Sequence, residues 1–158
     1  MINDVHTIND FHGEYFWLSN FYPVEILLDE PWPYASVEHA YMSQKSRDPA
    51  WKRFCRDTKN AADVKTASYN IQLRGDWEHI KEDVMRTCLV QKFGVPESKL
   101  QDLLLGTGNK TLVEGNTWKD TFWGVDTKTG IGKNKLGTML MEIRSQLLHK
   151  NVILSKDL

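Results

Sequence analysis

A carboxylate, an amine and an aromatic ring can share one face in the segment Ser36-Val37-Glu38-His39-Ala40-Tyr41-Met42-Ser43-Gln44-Lys45. Glu38 and Lys45 stand seven positions apart, which on a helix is two turns and about 10 Å of rise. Tyr41 and Met42 lie on the same face, so the three functional groups can line a pocket. A second account of the same residues needs no ligand. A glutamate in the first turn complements the helix dipole, a lysine in the last turn does the mirror-image job, and His39 is a partly buried polar neighbour.

Two further segments carry chemistry of other kinds. Gly115-Asn116-Thr117-Trp118-Lys119-Asp120-Thr121-Phe122-Trp123-Gly124-Val125 puts two tryptophans and an aspartate in a loop. Trp123 can stack on a base or a sugar face, with Asp120 bonding a hydroxyl; alternatively a buried tryptophan pins the loop. Gly130-Ile131-Gly132-Lys133-Asn134-Lys135-Leu136-Gly137 precedes a helix. Glycines allow close backbone approach, and a helix N-terminus with two lysines suits phosphate. The plain alternative is a solvated loop with Asn134 as N-cap.

Other chemistries are excluded. Gly106-Thr107-Gly108 is followed by Thr111 where a third glycine should stand, and Gly132-Lys133 is followed by Asn134, so neither the dinucleotide fingerprint nor the P-loop is present. No His-x-x-x-His pair or clustered Cys/His set marks a metal. Cys55 and Cys88 read as small core hydrophobes. With 20 Lys+Arg against 21 Asp+Glu, overall electrostatic binding to DNA or an acidic membrane is not expected. Met1-Ile2-Asn3-Asp4 starts no signal peptide, and no apolar run would span a bilayer, so the expectation is a cytoplasmic protein without a membrane partner.

The elements that must position these groups are mostly helices. The chain has 158 residues, 41% of them hydrophobic, which suits one domain. Residues 14–28 read as extended. Ser36 caps a helix over 36–47, Asp48-Pro49 opens a short helix, and Asn60 caps another over 61–70. Trp77, Ile80, Val84, Cys88 and Phe93 form the stripe of a helix over 76–93. A helix over 97–105 follows, then short strands at 110–114 and 121–125. A last helix over 134–149 buries Leu136, Leu140, Ile143 and Leu147, and 150–158 reads as a loose tail. The fold class is α+β, mostly helical with a few short strands.

LSNFYP, SVEHAYMSQK, GDWEHIKEDVMR, the FWG of KDTFWGV, and GKNKLGTMLMEIR occur in this order over about residues 11 to 149. Together they resemble the NADAR superfamily, which includes the YbiA-like N-glycosidases. The resemblance implies a compact domain over 1–149 that cleaves a ribosyl C1′–N bond without cofactor or metal. Its substrate would be a small molecule or nucleotide: a phosphoribosylamino-pyrimidine of the riboflavin pathway, or ADP-ribosylated guanine, including that in DNA. It implies Glu38, Lys45 and Asp120 as catalytic positions, with Lys45 either a proton donor or a nucleophile that forms an imine. Trp77 and Trp123 would stack the base or shield the pocket, and Asp120 would hold a ribose hydroxyl. Lys133, Asn134 and Lys135 would receive phosphate, and Asn20, Phe21, His39, Tyr41, Gly124 and Gly137 complete the binding set. Met42-Ser43 departs from the commoner Gln-Ala pair. A non-catalytic ADP-ribose- or NAD-binding module would keep the aromatic and phosphate residues but not need Glu38 and Lys45. An interaction protein would use the aromatics as an interface.

Overall fold

The computed structural model describes residues 4–156, with side chains through residue 151. Residues 1–3 of the N-terminal reading and 157–158 of the tail lie outside the described residues. Contacts group the chain into two units, one of Asn20–Val95, the other of the residues up to Ser19 with those from Pro96 onward.

In the Asn20–Val95 unit, β2 (Pro23–Ile26) pairs antiparallel with β3 (Tyr34–Ser36), Pro23 opposite Ser36 and Ile26 opposite Tyr34. The proline takes the first strand position, where its missing N–H does least harm. β3 runs straight into α1 (Val37–Ser43), whose N-cap Ser36 accepts the His39 N–H at 3.1 Å. Every residue of α1 is buried, because α2 (Pro49–Asp57), α3 (Ala61–Ser68), α4 (Trp77–Phe93) and the hairpin all pack on it. Asp48 and Asn60 cap α2 and α3 through Ala50 and Ala62. The α4 core face runs through Trp77, Met85, Cys88, Leu89 and Phe93; Ile80 and Val84, expected on it, are half-buried. Cys55 and Cys88 are fully buried, and burial pushes both thiols up to about 12.

In the other unit, β1 (Thr7–Ile8) and β4 (Thr111–Leu112) pair in parallel, as do β5 (Gly115–Asn116) and β6 (Val125–Asp126). Residues 14–18, expected to be extended, are instead part of a 3-10 helix, Gly13–Leu18. The run Tyr15-Phe16-Trp17-Leu18 does not alternate. Trp17 and Leu18 are both buried, which adjacent strand residues on one core face cannot achieve. α5 (Lys99–Gly106) and α6 (Lys135–Lys156) pack together. α6 buries Leu136, Leu140 and Ile143 as its period requires, with Met139 beside them; Leu147, expected on the same face, is half-buried. Its helix continues to Lys156, so the loose tail read from 150 is helical over its described part. No helix among the described residues is long and apolar enough to cross a membrane.

Candidate active site

α1 carries polar side chains into a buried position, and each needs a reason to be there. His39 has one: it is 2% exposed, with Nδ1 2.7 Å from the Ser36 hydroxyl and Nε2 2.8 Å from the Thr58 carbonyl. A carbonyl only accepts, so Nε2 carries the proton and Nδ1 can accept from Ser36. Both ring nitrogens are committed to the fold, which leaves none for a ligand. Glu38 is 5% exposed, and its N–H donates to the Asn20 carbonyl at 2.9 Å. The Asn20 amide lies against Met85 Sδ, and its Oδ1 is buried without a hydrogen-bond partner among the described residues.

Lys45 is not in the helix. α1 stops at Ser43, and the N–H groups of Gln44 and Lys45 reach back to the carbonyls of Tyr41 and Met42 at 3.2 Å, a tightened last turn. The Arg74 N–H, bonded to the Lys45 carbonyl at 2.8 Å, takes up that carbonyl outside the helix. Glu38 and Lys45 nonetheless remain in electrostatic contact. Burial pulls the Lys45 ammonium below its ordinary 10.5, Glu38 opposes this, and Lys65 of α3 and Lys81 of α4 push it further down. Lys45 Nζ lies 5.9 Å from the Tyr41 ring, which packs on Trp77 at 5.1 Å between centroids. Both rings are 4% exposed, so they shield rather than present an open stacking face. Phe21 is half-buried, with Lys65 Nζ 5.9 Å from its ring. Lys65 and Lys81 were not singled out in the sequence. Lys81 follows Trp77 at a helical interval that would have found it, whereas Lys65 reaches α1 only by tertiary packing.

The other predicted residues lie in the second unit. Asp120 Oδ1 accepts the N–H groups of Phe122 and Trp123 at 3.1 and 3.0 Å. The loop is stitched by Asn116, 2% exposed, which bonds both the N–H and the carbonyl of Asp120. Trp123 is half-buried and meets Phe122 edge-on at 4.9 Å. The start of α6 is less open to phosphate than its glycines suggest. The N–H groups of Lys133, Asn134, Lys135 and Leu136 donate to the carbonyls of Thr121, Gly124, Phe122 and Trp123. Asn134 stands at the N-cap position of α6 with φ 53, its carbonyl accepting from Thr138 N, but its side chain does not cap: its Oδ1 accepts from Glu114 N at 3.0 Å and its Nδ2 donates to the Leu112 carbonyl at 2.9 Å. A Cβ on Gly137 would lie 2.1 Å from the Leu112 oxygen, and one on Gly124 2.1 Å from the Glu114 oxygen. These glycines admit the protein's own backbone. Lys133 Nζ lies 5.5 Å from the centroid of the Phe122 ring.

Comparison with known proteins fits this arrangement of motifs. The NADAR domain model matches residues 8–148. The chain belongs to the NADAR family. Among relatives, the N-glycosidase YbiA of Shigella boydii is 36% identical over 149 residues, covering 92% of this chain and 88% of that protein. An N-glycosidase of Nostoc punctiforme is 34% identical, covering 84% and 86%. A riboflavin biosynthesis protein of Vibrio vulnificus is 37% identical over 86% of this chain but only 36% of its own length. The NMR structure of Escherichia coli YbiA matches with a TM-score of 0.79 at 33% identity, over 93% of this chain and 88% of that one. The NADAR fold, α+β and mostly helical, is therefore the fold of this chain.

Proposed function

We propose that this NADAR protein is an N-glycosidase that cleaves the C1′–N bond between a phosphorylated ribose and an amino-pyrimidine, with Lys45 bonding to C1′ and Glu38 as the carboxylate beside it. The observation that carries the reading is a partly buried lysine, titrating below its ordinary value, in the field of a nearly buried glutamate on a helix with no exposed residue. An amine attacks and an ammonium does not, so a lowered pKa raises the reactive fraction. The Lys45 nitrogen forms a bond to C1′. The C1′–N bond breaks with its electron pair going to the departing nitrogen, which takes up a proton. Lys45 gives up its own proton, and opening of the ribose ring leaves an imine. Water then hydrolyses the imine, restoring Lys45 and releasing the phosphorylated sugar. Glu38 opposes the positive charge that develops at C1′.

Within the Asn20–Val95 unit, Asn20 Oδ1 is the acceptor offered to a hydroxyl or amine of the substrate. The names of the relatives, N-glycosidase and riboflavin biosynthesis protein, support the bond and the substrate class. Borohydride added during turnover reduces an imine to a stable amine. The expected result is a sugar-phosphate mass on the peptide carrying Lys45, with Lys45→Arg as inactive as Lys45→Ala. Full turnover by Lys45→Arg would contradict the reading, because arginine keeps the charge but forms no imine.

A further inference from the structure

Behind α1, in the Asn20–Val95 unit, three buried polar atoms have no hydrogen-bond partner among the described residues: Glu30 Oε2, Trp32 Nε1 and the Tyr34 hydroxyl. They are neighbours, since the buried Tyr34 hydroxyl interacts with Ser43, Trp32 and Glu30, none of them at full hydrogen-bond geometry. One is an anionic acceptor, one only a donor, and one either. A single water matches that set. It accepts from the indole N–H, donates to the carboxylate and takes the phenol in either sense, and buried waters make about three such bonds. A metal cation does not match, because the indole N–H points a proton at it.

The other oxygen of Glu30 ties this place to the reaction. Oε1 accepts from Lys52 Nζ at 2.5 Å and from Gln44 Nε2 at 3.1 Å. Gln44 Nε2 also donates to Ser43 Oγ at 2.9 Å, and Gln44 Oε1 is 3.5 Å from Lys52 Nζ. Ser43 closes the chain by donating to the Ala40 carbonyl at 2.6 Å. Gln44 caps α1 and precedes Lys45 directly. We propose that Glu30 is a positioning residue: with Lys52 and a buried water shared with Trp32 and Tyr34, it fixes Gln44 and so the turn that presents Lys45. The inference rests on the role given to Lys45 above. It also gives Ser43, which departs from the commoner family residue, a hydroxyl's task of accepting from Gln44.

The test is steady-state kinetics on the full chain, per folded molecule, for Gln44→Ala, Glu30→Gln, and Glu30→Gln combined with Lys52→Met. The double variant covers the case in which Glu30→Gln alone fails to fold because Lys52 loses its counter-charge. A misaimed reacting group lowers kcat by about tenfold to a hundredfold, so Gln44→Ala and the double variant should lose at least about tenfold in kcat with KM unchanged within about twofold. A merely structural role would reduce the folded fraction and leave kcat of the folded protein intact. Lys45→Ala is the control. If it is active, the catalytic reading fails. If it is inactive while Gln44→Ala keeps the wild-type kcat, the positioning role alone fails. A crystal structure of the whole protein should place a water within hydrogen-bond distance of Glu30 Oε2, Trp32 Nε1 and the Tyr34 hydroxyl; direct bonds among the three with no water would overturn that part.

Discussion

Glu38 and Lys45 act on one another, and their pH behaviour follows with a sign. Lys45 titrates below 10.5 because of burial, while Glu38 pulls it back up and Lys65 and Lys81 lower it. As a nucleophile Lys45 must lose its proton, so kcat/KM should rise with pH along a limb set by this lowered pKa. Removing the glutamate charge removes the one contribution that raises the value. In Glu38→Gln the limb should therefore move to lower pH, even as turnover falls. The loss in kcat should be about 10²- to 10³-fold, the usual consequence of deleting a group that stabilises charge developing in the transition state. The variant should stay folded, and circular dichroism with a pH–rate series checks both statements. A limb that moves to higher pH would separate Glu38 from Lys45. A rate that falls as pH rises through the limb would instead make Lys45 the proton donor.

In each unit, substitution should show which side chains hold the protein together. Asn134→Ala deletes two hydrogen bonds, to Glu114 N and the Leu112 carbonyl, and should lower stability by about 1–3 kcal/mol. Gly137→Ala should be worse, because its Cβ would stand 2.1 Å from a backbone oxygen; thermal denaturation checks both. If the start of α6 meets phosphate as the motif implies, Lys133→Ala with Lys135→Ala should raise KM more for the phosphorylated substrate than for its dephosphorylated form. Equal effects on the two forms would remove phosphate from this place. Burial would raise the Glu30 carboxyl, but hydrogen bonds from Lys52 and Gln44 outweigh it and hold it below the ordinary 4.5. A depressed carboxyl stabilises above its unfolded value and loses that contribution as pH falls through the folded one. Acid should therefore destabilise the wild type below about pH 4.5 more than Glu30→Gln, as denaturant titrations at several pH values would show. The N-caps Ser36, Asp48 and Asn60 and the α6 stripe were legible because capping and helical period are local signals. The end of α1 was not, since it depends on Arg74 bonding the Lys45 carbonyl from a distant loop. Gly132 and Gly137 of the Lys133 segment were legible as close approaches but not for what approaches, because the partners are the carbonyls of Gly124 and of Leu112 in β4.

For the whole molecule, charge and kinship decide which substrates are reasonable. With 20 basic and 21 acidic side chains there is no net field to gather a polyanion. Turnover of a small phosphoribosyl substrate should accordingly vary little with salt. Action on ADP-ribosylated guanine within DNA would need local phosphate contacts and would weaken steeply as salt rises. Sequence motifs were enough to place the chain in its family, since the matching blocks run in order along nearly all of it, and 36% identity to the Shigella boydii N-glycosidase agrees. They were not enough to name the leaving base, because Trp77 and Tyr41 are buried walls rather than open stacking faces. The most direct test is to incubate the purified protein, and its Lys45→Ala variant, with the phosphoribosylamino-pyrimidine and with ADP-ribosylated guanine, and to weigh the products. The predicted result is the free amino-pyrimidine and a phosphorylated ribose, together heavier than the substrate by one water, from the wild type only. Binding of either compound without any release of base would contradict an N-glycosidase and leave a module that only binds.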